Sequence, residues 1–123
     1  MMIADTQQLF IDILRLVPFE ADLLIQSPHE EVLSVLEDIE HTKGEVFNTI
    51  KLSKENRQKL VYEVIYNDIE EYMQSIQIKI GDQLLFEGYD GMEYGTFSKE
   101  FHLPPEFLEK YTPKEMVSIS NEW

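Results

Sequence analysis

Cysteine is absent from this sequence of 123 residues. Its absence excludes a disulfide framework, a thiolate nucleophile and a cysteine-based metal site. Basic side chains are also few, since ten lysines and arginines stand against 24 aspartates and glutamates and leave a formal net charge of −14. A chain this acidic should repel nucleic acids and anionic membranes, so we expect neither as a partner. The charge favours a basic protein or peptide instead.

Long apolar runs are missing as well. The N-terminal residues 1–19 have no basic beginning and carry Asp5 and Asp12 among their apolar side chains. This stretch is a poor signal peptide and is too short to cross a membrane, so we expect a cytoplasmic protein. Hydrophobic residues nevertheless make up 43% of the chain, enough for one domain over residues 1–123 with a real core.

The few basic residues are concentrated in one part of the sequence. Residues 43–59 contain five of the ten lysines and arginines and only two acids. The simplest role for this basic segment is internal, because its charges can neutralise acidic elements that lie next to it in the fold.

Helical periodicity marks the first half of the chain. Apolar residues recur at helical spacing over residues 6–17, and Pro18 should end that helix because the residue before a proline avoids the helical conformation. A capping box at residues 27–30, with proline at the first helical position, predicts a second helix to about residue 41. Ser53 should cap a third helix.

The segments around these helices carry weaker patterns. Residues 19–26 are predicted to be a connector with buried apolar side chains, and residues 46–52 a short strand or a loop. Asn67 or Asp68 should break the third helix and begin a short helical turn. Near the C-terminus, Leu103-Pro104-Pro105 predicts a short helix and residues 117–123 a closing strand.

Residues 75–102 predict a β-meander. Isoleucines at alternate positions 76, 78 and 80 indicate a half-buried strand, and Gly81-Asp82 suits a two-residue hairpin turn. Such a turn pairs Ile78 with Leu85. A three-residue loop would instead pair Ile78 with Phe86, which buries more apolar surface. We favour the two-residue loop, with a bulge near Gly88.

A second turn is predicted at Asp90-Gly91, before a third strand over residues 92–97. We interpret Gly88, Gly91 and Gly95 as turn and bulge positions rather than as places where a ligand approaches the backbone. The fold that these patterns predict is α+β: N-terminal helices pack on a small antiparallel β-meander of about three to five strands, with a short C-terminal helix.

Signatures of catalysis and metal binding are weak. No serine has the strand–turn–helix context of a nucleophile elbow. Glu37 and His41 would share a helix face, but a metal site needs three or four ligands. Glu87, Asp90 and Glu93 could supply paired carboxylates, yet a small domain without an evident cleft makes acid–base chemistry improbable. We therefore expect neither a metal nor a cofactor.

Acidic and aromatic residues are interleaved most densely in the meander. Aromatic side chains are enriched at protein interfaces, and carboxylates around them would steer a basic partner and speed its association. Acidic residues at the end of the second predicted helix oppose its dipole, a local conflict that is typical of functional sites. The candidate contact residues are Glu37, Asp38, Glu40, Glu87, Tyr89, Asp90, Glu93 and Tyr94.

In charge, size and lack of catalytic motifs, this profile resembles the class of small acidic immunity or antitoxin-type inhibitors. The resemblance implies a non-catalytic module that binds a basic protein. Two alternatives stay open. One is a small ligand-binding domain or enzyme with a carboxylate–tyrosine pocket near Glu87 and His102. The other is a structural domain that self-associates into a homo-oligomer through an exposed edge of the meander.

Overall fold

The computed structural model describes residues 4–26, 34–35 and 37–123. Three α-helices lie wholly within this part of the chain: α1 (Asp5–Leu16), α2 (Lys54–Asn67) and α3 (Pro105–Tyr111). Two short 3-10 helices follow α2 and α3, at Ile69–Tyr72 and Thr112–Lys114. The strands are β1 (Asp22–Gln26), β2 (Asn48–Lys51), β3 (Ser75–Ile80), β4 (Gln83–Tyr89), β5 (Tyr94–Phe97) and β6 (Val117–Ile119).

The six strands form one sheet in the order β2-β1-β3-β4-β5-β6. Strand β6 is parallel to β5, and the other pairs are antiparallel. The parallel pairing follows from α3, which carries the chain across between these two strands. The α+β class is confirmed, but the sheet is mixed and has one strand more than the predicted range.

The prediction of a connector over residues 19–26 is wrong. Asp22–Gln26 form β1, which pairs with β2 on one side and with β3 on the other. Its side chains alternate, with Leu23 and Ile25 buried and their neighbours half-buried. The adjacent Leu23-Leu24-Ile25 run hides this alternation in the sequence, because it fits neither a helical nor a strand period clearly.

The hairpin between β3 and β4 contains parts of both predicted registers. Gly81 has a positive φ of 56°, and Ile80 pairs with Gln83 across the predicted two-residue turn. The ladder then shifts by one residue, so that Ile78 pairs with Phe86 rather than with Leu85. The bulge therefore lies at Leu85, not near Gly88, and it places the apolar side chains on the core side.

The second turn is at the predicted place but is longer. Asp90, Gly91 and Met92 all have positive φ, and β5 begins at Tyr94, which pairs with Tyr89. Gly91 is thus a turn glycine, as expected.

Gly88 and Gly95 have a different role from the predicted one. They pair with each other on β4 and β5, and a Cβ on either would meet the ring of Phe86. Both glycines make room for that ring instead of shaping a turn.

The predicted helices over residues 6–17 and after Ser53 are confirmed. The side chain of Ser53 accepts a hydrogen bond from the Asn56 backbone N–H at 3.2 Å. The capping box at residues 27–30 lies outside the described residues. Asp68 ends α2 with a φ of 52°, and the short helical turn predicted after it is the 3-10 helix Ile69–Tyr72.

Arg57 joins the ends of three elements. Its Nε donates to the carbonyl oxygen of Leu52 at 2.7 Å, just after β2. Its Nη1 donates to the carbonyl oxygens of Leu14 and Val17 at 2.6 and 2.5 Å, and its Nη2 donates to that of Pro18. The guanidinium thereby satisfies carbonyl groups at the C-terminal end of α1, which have no partner within the helix.

Buried side chains from the helices and from one face of the sheet form a single hydrophobic core. The strands contribute alternate residues to it, such as Leu23, Ile78, Phe86 and Phe97. The opposite face of the sheet is left facing outward. Within the described residues, no helix has the length and apolar character needed to cross a membrane.

Candidate functional site

One row of side chains crosses the outward face of all six strands. Cross-strand pairing places them in register, and none of the six is fully buried. In strand order they are Thr49, Leu24, Gln77, Glu87, Thr96 and Ser118. A second, shorter row contains Ser75, Tyr89 and Tyr94. We call these two rows the open face. They bring Glu87, Tyr89 and Tyr94, three of the predicted contact residues, onto one surface.

Glu87 and Tyr89 interact directly on this surface. They are two residues apart on β4 and so point the same way. The Tyr89 hydroxyl donates a hydrogen bond to Glu87 Oε2 at 2.5 Å. Because this bond favours the neutral phenol, with partial burial adding to the effect, the pKa of Tyr89 rises to about 12. The phenol therefore stays protonated and keeps its orientation throughout the physiological pH range.

Tyr94 is held in a similar way from the next strands. Its hydroxyl donates to Ser118 Oγ at 2.6 Å, and that oxygen lies 3.2 Å from Thr96 Oγ1. Strand β6 thus fixes the orientation of a tyrosine on β5. Tyr89 and Tyr94 remain 36% and 41% exposed, so both rings are ordered at their hydroxyl ends and still accessible.

Asp90 and Glu93 lie in the turn at one end of the open face. Both side chains are exposed. The turn is attached to the segment after the first 3-10 helix, since the N–H groups of Asp90 and Gly91 donate to the carbonyl oxygens of Gln74 and Met73 at 3.1 and 3.0 Å. The two carboxylates are therefore carried by an anchored turn beside Tyr89 and Tyr94.

Glu37, Asp38 and Glu40, the other three candidates, belong to a different part of the molecule. All three are exposed, and their neighbour Ile39 is buried in the core. Lys59 of α2 donates to the carbonyl oxygen of Asp38 at 3.4 Å, which places this segment beside the helices. Thr42, just after this segment, pairs with Thr49 through two backbone hydrogen bonds of 2.8 Å, but in the described part of the chain no hydrogen bond or ion pair joins the three acids themselves to the open face.

The histidine and metal hypotheses gain no support from the geometry. His41 Nδ1 lies 2.9 Å from the carbonyl oxygen of Ile39, a local contact that orients the ring. Among the described residues, no group of three or more His, Asp or Glu side chains could hold a metal ion. His102 is exposed and forms no hydrogen bond or ion pair with Glu87 within that same set.

A buried carboxyl group lies beneath the turn and was not singled out from the sequence. The side chain of Glu70 in the first 3-10 helix is completely buried, and neither carboxylate oxygen has a hydrogen-bond partner. Burial raises its pKa to about 7, and the negative charges of Glu71 and Asp68 add to this rise. Gly91 packs against the backbone of the same segment, because a Cβ there would lie 3.0 Å from the Glu71 carbonyl oxygen.

Other members of the open face were also missed. Thr96 follows from strand alternation, since it lies two residues after Tyr94. Ser118 requires knowledge that β6 pairs with β5, and Leu24 requires recognition of β1. Comparisons with models of known protein families, with curated proteins and with solved structures gave no match to this chain.

Proposed function

We propose that this chain is a non-catalytic, cytoplasmic protein-binding module whose open face engages a basic partner, in the manner of the small acidic immunity or antitoxin-type inhibitors. The observation that carries the proposal is the joint placement of Glu87, Tyr89 and Tyr94 on the outward face of the sheet, with Asp90 and Glu93 at its end. Apolar area, hydrogen-bonding groups and negative charge are together on one accessible surface.

The two tyrosines suit the centre of such an interface. A tyrosine supplies a large contact area at a low cost in side-chain entropy, and its hydroxyl usually needs a hydrogen-bond partner when it is covered. Here Glu87 and Ser118 already supply those partners. The rings can therefore be covered by another protein without leaving either hydroxyl donor unsatisfied.

Asp90 and Glu93 suit the rim. Exposed charges at the edge of an interface contribute little to affinity, but they speed association with a partner of opposite charge. Lys79 and Lys51 also project from the outward face, near the other end of the strands, where Lys51 forms an ion pair with Asp22 at 3.3 Å. At the end that carries the β4–β5 turn, by contrast, Glu87, Asp90 and Glu93 form no ion pair among the described residues.

A photo-crosslinking experiment tests the location of the interface. A photoreactive phenylalanine derivative replaces Tyr94, or replaces Tyr66 on α2 as a control, because Tyr66 is also an exposed tyrosine, at 62%. Each protein is irradiated in a lysate of the cells that produce it. We expect the Tyr94 position to capture a basic protein that the Tyr66 position does not capture.

Charge reversal then tests steering with the captured partner in purified form. Changing Glu87, Asp90 and Glu93 to lysine should slow association about tenfold or more at low salt while the fold stays intact. Changing the exposed Glu45, Glu106 and Glu109 to lysine alters the net charge equally and should have a much smaller effect. Equal effects of the two triple variants, or capture by the Tyr66 position alone, would contradict the proposal.

Self-association through β6 is a second candidate. This strand is at the edge of the sheet, and Ile119 on it is 48% exposed. Unpaired backbone groups at such an edge can pair with a second copy. Sedimentation velocity over a range of concentrations should then show a dimer that Ile119→Lys abolishes. A monomer at every concentration would eliminate this candidate.

A further inference from the structure

A cavity of about 380 Å³ lies between the C-terminal end of α1 and the first turns of α2. Leu14, Val61 and Phe19 provide its apolar lining. Its volume is within the range of small-molecule sites, roughly 300–1,000 Å³, and mixed apolar and polar walls are usual for such sites.

The charge of this lining is opposite to that of the protein. Arg15, Lys54 and Arg57 line the cavity, and no acid is found among the described residues that do so, although the chain has 24 acids. Arg15 and Lys54 are exposed and form no ion pair within the described residues, whereas four lysines elsewhere do. Two cations with no counter-ion thus face one cavity.

Arg57 and Phe19 complete the wall in different ways. The guanidinium of Arg57 is occupied by backbone carbonyl groups and lies 4.4 Å from the centre of the Phe19 ring. That ring is nevertheless 60% exposed. A large aromatic side chain held open to solvent beside unpaired cations provides a surface on which a second ring can stack.

Glu20, an acid outside the lining, acts on one of the lining residues. Burial lowers the pKa of Arg57, and the charge of Glu20 partly restores it, so the two groups are close enough to interact. Glu20 is exposed. Its negative charge would repel an anion in the cavity. Removing this charge therefore tests whether the bound molecule is an anion.

We propose that this cavity binds a small amphipathic anion, which is a single ring or short apolar chain that carries one carboxylate or phosphate. The apolar part contacts Phe19, Leu14 and Val61, and the anion lies against Arg15 and Lys54. Lys54 and Arg57 of the lining belong to the first turn of α2, so the positive end of the helix dipole also favours an anion here. This site uses the helices and not the open face, so it is independent of the proposed partner-binding function.

An NMR titration of the ¹⁵N-labelled protein tests the site with four defined probes. Phenyl phosphate and phenylacetate are the two anions, benzyl alcohol is a neutral analogue and benzylamine a cationic one. We expect both anions to shift the amide signals of α2's first turns saturably, and the neutral analogue to bind at least about tenfold more weakly because it loses the charge-assisted contacts. The tighter of the two anions identifies the preferred head group.

Charge variants distinguish anion binding in this cavity from nonspecific attraction of the anion to basic side chains elsewhere on the protein. Arg15→Gln and Lys54→Glu should each weaken phenyl phosphate binding about tenfold, and Glu20→Gln should strengthen it. Lys99→Glu is the control, since Lys99 is an exposed lysine outside the lining. No saturable shift up to about 20 mM, equal binding of benzyl alcohol, or an equal loss in Lys99→Glu would each overturn the proposal.

Discussion

The carboxyl group of Glu70 is in a place where burial disfavours its charge. Burial is the largest cause of its raised pKa, the nearby backbone N–H groups of Glu70 and Glu71 offset only part of that cost, and Glu71 and Asp68 bring further negative charge. A folded protein normally pairs a buried carboxylate or keeps it protonated. Here the pKa of about 7 means that a large fraction of molecules carry a neutral Glu70 at physiological pH.

This residue should make stability fall as pH rises. The unfolded chain releases the Glu70 proton near pH 4.5, whereas the folded chain keeps it until about pH 7. Between these values the folded state binds more protons, so the free energy of unfolding decreases with rising pH and then levels off. The loss from this group is on the order of 3 kcal/mol. Glu70→Gln removes the ionisation, and urea unfolding between pH 4 and pH 8 should show a much flatter dependence.

Glu71→Gln is the control for this prediction. It removes a carboxylate from the neighbouring position, but its side chain is exposed. Its profile should keep most of the decline seen in the unmodified protein. If Glu70→Gln and the unmodified protein lose stability in parallel over this interval, then Glu70 is not the titrating group.

At the scale of the element, Arg57 shows how the chain holds helix ends together. One guanidinium donates hydrogen bonds to carbonyl groups at the end of α1 and just after β2. Lysine has the same charge but lacks the planar fork, so it cannot reach these acceptors together. Arg57→Lys should lower the free energy of unfolding by about 2–4 kcal/mol, measured by urea unfolding, because buried carbonyl groups lose their partners.

A nearby lysine provides the comparison. Lys59→Gln removes an exposed ion pair with Glu55 on the same helix and a long, exposed hydrogen bond to the Asp38 carbonyl oxygen, and it should change stability by less than about 0.5 kcal/mol. A loss in Arg57→Lys no larger than that in Lys59→Gln would mean that charge, rather than hydrogen-bond geometry, is what Arg57 contributes.

The sequence predicts those elements whose signals are local. Ser53 as a helix cap, Gly81 in a hairpin turn and the break at Asp68 all depend on a few neighbouring residues. The position of the bulge at Leu85 does not follow from a few neighbouring residues. The turn geometry and the apolar alternation require different registers there, and the strand accommodates both by leaving Leu85 unpaired.

Long-range pairing explains the other differences. Strand β1 has only five residues, and it forms because it pairs with β2 on one side and β3 on the other. Both of these strands are far from it in the sequence. The joint location of Glu87, Tyr89 and Tyr94 follows from strand alternation once the register is known. The burial of Glu70 could not be read from an acid-rich segment, because solvent exposure is the default for charged residues and its removal depends on tertiary packing.

At the scale of the whole molecule, acidity dominates and is unevenly arranged. The four ion pairs between described side chains all involve an exposed lysine, and three of them join different elements, such as Asp12 and Asp5 of α1 with Lys110 and Lys114. Most carboxylates among the described residues form no ion pair. Excess charge keeps a protein soluble but also destabilises the compact state, because like charges repel one another.

This excess should make the fold more stable in salt. Raising sodium chloride from about 0.01 M to about 0.1 M shortens the screening length from about 30 Å to about 10 Å, which weakens repulsion across the whole domain. Exposed ion pairs are weakened too, but each contributes less than about 1 kcal/mol. At pH 7 we expect the free energy of unfolding to increase by about 1 kcal/mol, seen as a rise of about 4 °C in Tm by calorimetry.

Two controls test this explanation. Potassium chloride should have the same effect, and the variant with lysine at Glu45, Glu106 and Glu109 should be stabilised less because it carries less net charge. A Tm that falls with added salt would show that the ion pairs outweigh the repulsion between the remaining acids.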